Sequence, residues 1–234
     1  MIDFYALTSP NVQKVFLMLE EVELPYKVIP VDVWAGKQFE AEFKKLNPNA
    51  KIPVIVDHNS YGGKPHTVFE SGAILFYLAE KTGKYLPKDP AARMDTIQWL
   101  FWQMATVGPM FGQKVHFTLF APQGNEYSAT RYKTEVLRLY DVLETRLGQS
   151  QYIGSIDYSI ADMACFPWMR GYESHGATRA SHPNVARWVD SVMARPATKR
   201  MLEKIAELQA KSSREKATDE QKDRFFGRGQ YARV

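Results

Sequence analysis

The chain has 234 residues, 45% of them hydrophobic and 24% charged, with a formal net charge of +4 and a sequence pI of about 9.0. These are globular values, and the length suits one large domain or two small ones. The basic residues are scattered apart from some crowding near the C-terminus, which argues against a nucleic-acid surface; no apolar run approaches the ~18 residues of a membrane span; and the only cysteine, Cys165, excludes an internal disulfide, a CxxC redox pair and a thiolate metal cluster. The first residues lack the basic region and apolar run of a signal peptide, so a cytoplasmic location is expected.

In chain order, Ile2–Ala6 alternates as a first strand should. Ser9 is a candidate helix N-cap, with Pro10 at the first helical position, where its missing N–H costs nothing. Val12, Val15, Phe16, Leu19 and Val22 then mark the buried face of a first helix. Leu24 to Val31 supplies a second strand, and its connection through a helix predicts a parallel βαβ unit. Trp34 to Lys45 reads as loop and short helix.

The stretch Asn49-Ala-Lys-Ile-Pro-Val-Ile-Val56 is a tight approach into a buried strand. Pro53 sits at the strand's entrance, where no ladder N–H is required, and Ile52–Pro53 is a candidate cis bond. The main chain of Ile52 would then be open to an extended peptide. His58 to Gly63 is a turn, His66–Phe69 a returning strand, and Glu70-Ser71-Gly72 opens an apolar helix to Lys81. Singly, these pieces read as a proline turn before a core strand and an ordinary cap. Together, a strand entrance and a helix N-terminus suit a small anionic peptide.

Lys81 to Pro90 is rich in Gly and Pro and reads as a linker. Everything beyond it is helical. Arg93 to Met104 is an apolar central helix with Trp99, Phe101 and Trp102 packed on several sides, ended or kinked at Gly108-Pro109. Ala129 to Leu147 follows, with Tyr132, Val136, Leu139, Tyr140, Leu143 and Leu147 on one face. Ser159-Ile-Ala-Asp162 has the form of a capping box opening a buried helix through Trp168. Two further helices cover 185–194 and 197–208. The charged tail from Lys211 reads as a solvated helix or linker. Its aromatic end, 225–234, has two readings: docked over a site or a dimer, or disordered. The domains expected are 1–83, 88–208 and an extension over 209–234.

The order of elements, Ser9-Pro10-Asn11, Lys51-Ile52-Pro53, Glu70-Ser71 and Ser159-Ile-Ala-Asp162 resemble a cytosolic glutathione transferase over residues 1 to about 208. Leu-Asn-Pro-Asn-Ala-Lys-Ile-Pro, Phe69-Glu-Ser-Gly-Ala-Ile-Leu, Gln98-Trp-Leu-Phe-Trp-Gln and Gly108-Pro109-Met are most similar to the bacterial Nu class and the neighbouring fungal nitrogen-regulator branch. The resemblance implies an α/β thioredoxin-like N-terminal domain, an all-α C-terminal domain, a homodimer, and glutathione as substrate with no metal. It also implies glutathione-dependent disulfide reduction, with conjugation of electrophiles and a non-catalytic glutathione-binding interaction protein as the alternatives. Partners are then glutathione, glutathione disulfide and small disulfides or electrophiles, with no nucleic acid and no membrane.

By the same resemblance, Glu70 takes the glutathione amine and Ser71 with its helix N-terminus the γ-glutamyl carboxylate. Ile52 pairs with the cysteinyl unit, Lys51 and Gln38 reach towards the glycine end, and Arg131 is a further carboxylate ligand. The thiol needs help. Ionising it near pH 7 takes a drop of about two units from ~8.5, roughly 2.7 kcal/mol. A helix dipole supplies ~0.3–1 and at most ~2 kcal/mol, whereas a hydrogen bond to a charged group adds about 1.5–3. Ser9 and Asn11 are therefore the candidate catalytic donors, and Asn11 a glutathione ligand as well. Tyr5 and Thr8 are the runners-up. Ser9 keeps the hydroxyl of the threonine common in the Nu branch but lacks its methyl. Cys165 is expected to be inert core. His116 is a second-site or acceptor-site candidate, and the aromatic stretch from Phe111 to Phe120 the expected acceptor wall.

Overall fold

The computed structural model describes residues 1–212 and 214–232; of the tail, Ser213, Arg233 and Val234 lie outside the described residues. Two compact units are formed. One holds residues 1–77 and the C-terminal stretch from Lys199, the other Leu78–Thr198.

The first unit is built on a four-stranded sheet of order β2-β1-β3-β4, with β1 at Ile2–Ala6, β2 at Tyr26–Pro30, β3 at Val54–Asp57 and β4 at His66–Phe69. β1 pairs parallel with β2 and antiparallel with β3, and β3 pairs antiparallel with β4. Helix α1, Pro10–Val22, makes the parallel crossover, as its sequence pattern predicts. Its apolar face is buried, but so are Gln13, Lys14, Leu17, Met18 and Glu20. The helix is enclosed on more sides than a single stripe implies. Part of the cover comes from α9, Pro196–Lys211, whose Arg200 donates to the Glu20 carboxylate at 2.6 Å and to its carbonyl at 2.8 Å. The short helix α2, Ala41–Leu46, and α3, Ser71–Thr82, complete this α/β thioredoxin-like arrangement.

The second unit is all helical. It contains α4 (Pro90–Trp102), α5 (Gly108–Leu119), α6 (Glu126–Gln149), α7 (Ile160–Met169) and α8 (Pro183–Met193). A wide π-type turn at Gln103–Val107 separates α4 from α5, so the interruption falls just ahead of Gly108-Pro109, and Pro109 sits in the first turn of α5. Phe101 is 64% exposed, so the face of α4 that carries it is bare rather than packed. On α6, Val136, Leu139, Tyr140, Leu143 and Leu147 are buried. Asp162 closes the expected capping box and does more. Its carboxylate accepts from Ser159 N, Ile153 N and Trp188 Nε1, each at 2.9 Å. Burial still pushes this carboxyl up to about 6. Cys165 is fully buried in α7. The last helix, α10, spans Asp219–Phe226 and returns to the first unit, opened by a capping box of Thr218 and Gln221.

Candidate active site

The site is assembled by three turns of the first unit. The turn from β1 into α1 carries Ser9 and Asn11. Ser9 is the N-cap, its hydroxyl oxygen accepting from Val12 N at 3.4 Å. Accepting leaves the hydroxyl's own hydrogen available to donate. Pro10 follows at the first helical position.

The second turn is Asn47 to Pro53. Asn47 is 1% exposed and holds the loop through its side chain, donating to Lys51 O at 2.7 Å and accepting from Asn49 N at 2.9 Å. Ala50 takes a left-handed conformation at φ 53°, and the Ile52–Pro53 bond is cis. Ile52 thus stands just ahead of the ladder, whose register begins at Val54. In the third turn Glu70, exposed and left-handed at φ 69°, leads into α3, where Ser71 is buried.

Two cavities share Asn11, Lys51 and Ile52. One of about 240 Å³ continues to Asn47, Asn49, Pro53, Glu70 and Ser71. The other, of about 270 Å³, adds Thr8, Ser9 and Gln38 to an apolar lining of Leu7, Val33, Trp34, Ala50 and Phe225. Gln38 is 1% exposed, and neither its Oε1 nor its Nε2 has a hydrogen-bond partner among the described residues. A buried, unsatisfied carboxamide is costly unless something else completes it. The structure therefore brings together Ser9, Asn11, Gln38, Lys51, Ile52, Glu70 and Ser71. Tyr5, a runner-up, packs edge-on against Phe43 at 6.2 Å in a small core with Val31 and Val54.

Arg131 and His116 belong to the second unit. Arg131 pairs with Glu135 at 3.3 Å, and Arg138, with Arg131, holds that carboxyl below its usual range. His116 packs edge-on against Phe117 at 5.3 Å. Phe111 is 1% exposed against Tyr140, Trp168 and His175, so it is core of that unit and not a cavity wall. The aromatic walls beside Ser9 are Trp34 and Phe225. Sequence reading passed over Trp34 and left Phe225 with two fates. It also missed Lys14, a buried lysine whose Nζ lies 3.3 Å from Ser71 Oγ. Its position, three residues after Asn11 on a helix, was the available signal. Among the described residues no cluster of His, Cys, Asp or Glu could hold a metal ion, and no helix is long and apolar enough to cross a membrane.

Comparison with known proteins agrees with this architecture. The family models for the glutathione S-transferase N-terminal domain and C-terminal domain match residues 8–81 and 107–196, and the chain belongs to the glutathione S-transferase family. It is 49% identical over 199 residues to the disulfide-bond oxidoreductase YfcG of Escherichia coli, covering 85% of this chain and 93% of that one. Among solved structures it is similar to a glutathione transferase from Burkholderia graminis with two glutathione molecules bound per subunit (45% identity, TM-score 0.82, 86% of this chain and 87% of that one). A second, from Pseudomonas putida, has one glutathione disulfide bound per subunit (42% identity, TM-score 0.81, 86% and 90%).

Proposed function

We propose that this chain is a glutathione-dependent disulfide reductase of the Nu type, in which the reacting thiolate belongs to bound glutathione. One observation carries the reading. A hydroxyl and an amide at a helix N-terminus, Ser9 and Asn11, line a pair of cavities that share Asn11, Lys51 and Ile52 and reach Glu70 and Ser71, while the only cysteine is buried in α7. In this reading the γ-glutamyl carboxylate lies at Ser71 and the head of α3, and the amine meets Glu70. The cysteinyl unit runs along Ile52 as an added strand. The glycine carboxylate is met by Lys51, with Gln38 beside it. Arg131 and His116 remain proposals carried by the sequence alone.

The thiolate then forms at Ser9 and Asn11. It attacks one sulfur of a disulfide, releases the other as a thiolate that takes up a proton, and leaves a mixed disulfide with glutathione. A second glutathione thiolate attacks that mixed disulfide, giving glutathione disulfide and the second acceptor thiol. The protein contributes binding, orientation and charge stabilisation. The apolar cavity at Trp34 and Phe225 takes the acceptor. Bare apolar side chains on each unit, Tyr61 and Phe69 on one and Met94 and Phe101 on the other, support a homodimer.

The test is turnover of a small disulfide with glutathione, coupled to NADPH through glutathione reductase, run beside conjugation of an aryl halide. Fast reduction with weak conjugation is expected. The reverse moves the reading to a conjugating transferase, and glutathione binding without either activity favours an interaction protein.

A further inference from the structure

Lys14 is 1% exposed, a rare setting for an ammonium group. Its Nζ lies 3.3 Å from the hydroxyl oxygen of Ser71, itself 5% exposed at the head of α3. The cavity lined by Asn11, Glu70 and Ser71 opens at the same residue. An ammonium has three donors and no acceptor, so the Ser71 oxygen accepts from Lys14 and its hydroxyl hydrogen points elsewhere. Lys14 therefore stands directly behind the residue that opens α3, a helix N-terminus that carries only about half a positive charge of its own.

Resting on the glutathione reading above, we propose that Lys14 is a positioning residue for the γ-glutamyl end. It holds Ser71 as a donor and makes the site select peptides whose first residue carries a free α-carboxylate. Glutathione fits. The analogue that lacks only this group, 4-aminobutyryl-cysteinylglycine, loses the selected contact.

The experiment is calorimetric binding of both peptides to the wild type, Lys14→Met and Lys14→Arg, with folding checked by circular dichroism. The wild type should prefer glutathione. Lys14→Met should weaken glutathione about 10- to 100-fold, the range for losing a hydrogen bond to a charged group, and leave the analogue within about twofold, so that the preference collapses. Lys14→Arg, which keeps the charge, should restore much of it. Equal weakening of both peptides, or of neither, overturns the role of Lys14 while glutathione binding stands. A wild type that binds neither peptide overturns the glutathione reading and this proposal with it. If Lys14→Met does not fold, Lys14→Gln, which keeps a donor without the charge, is read by the same comparison.

Discussion

Phe225 lies against Trp34, ring centroids 4.7 Å apart and planes tilted by 34°. The ammonium of Lys51 stands 5.7 Å from the same Phe225 ring. A residue from the end of the chain therefore walls a cavity whose other lining comes from the first fifty-odd residues. The stretch leading to it is tethered: Arg200 to Glu20, then Ser212, whose hydroxyl donates to Asp32 at 3.0 Å. Gly36 underlies the approach at φ 81°, and a Cβ there would stand 3.2 Å from Arg224 Cδ.

Phe225→Ala should open the acceptor side and spare the glutamyl side. An aromatic pair contributes about 0.5–1.5 kcal/mol beyond its buried area, so KM for a small aromatic disulfide should rise about two- to tenfold. KM for glutathione should change far less. Michaelis constants for a series of acceptors of increasing size check this. Equal KM values for variant and wild type across the series would place the acceptor elsewhere.

In the proposed site Ser9 joins its observed helix cap to the role of a thiolate donor, and mutation can separate the two. Ser9→Ala loses the cap, about 1 kcal/mol of stability, and a thiolate donor. Asn11→Ala should lose a donor with no loss of cap. Each variant should raise the thiol pKa of bound glutathione by about one to two units, from the value of a hydrogen bond to a charged group. Thiolate absorbance titrated against pH reads this directly, and thermal melting should show the larger drop in Ser9→Ala. Superimposable titrations in all three proteins would remove both residues from the chemistry.

Much of this was legible in sequence because the controlling physics is local. Ser9-Pro10 at a helix head, Ile52-Pro53 before a strand and the Ser159/Asp162 capping box all act within a few residues. What escaped depends on distant partners. Lys14 is buried with its ammonium against Ser71, 57 residues further along the chain, and Trp34 gains its meaning from Phe225. Phe101 reads in sequence as a packed residue of the central helix and Phe111 as part of an acceptor wall, yet the first is bare and the second core. Periodicity does not say which face has a neighbour.

His175 predicts an acid limb in stability. Its Nδ1 lies 2.9 Å from Tyr140 Oη, and burial, with the nearby Lys114, lowers its pKa to about 4 from 6.5. Between those values the unfolded chain binds the proton and the folded one does not, so this group's contribution to stability is full above about 6.5 and lost as pH falls towards 4. Asp162 acts oppositely. Its raised pKa makes its contribution fall as pH rises from 3.8 to about 6. The wild-type curve alone mixes the two. Urea midpoints for wild type and His175→Asn, measured across this window, should converge as pH falls. Parallel curves would show that His175 titrates normally in the fold.

The central claim is that bound glutathione, not the protein, supplies the reacting sulfur. Cys165 is the chain's only cysteine, and its side chain is buried in α7. Turnover of a small disulfide by Cys165→Ser, with acid-quenched samples weighed by mass spectrometry, decides the matter. The account predicts reductase activity within about twofold of wild type, since a buried thiol exchanged for a hydroxyl alters packing and not the chemistry, and an unmodified wild-type protein mass during turnover. Loss of reduction in a folded Cys165→Ser protein, with a mixed disulfide on the wild-type chain, would contradict it.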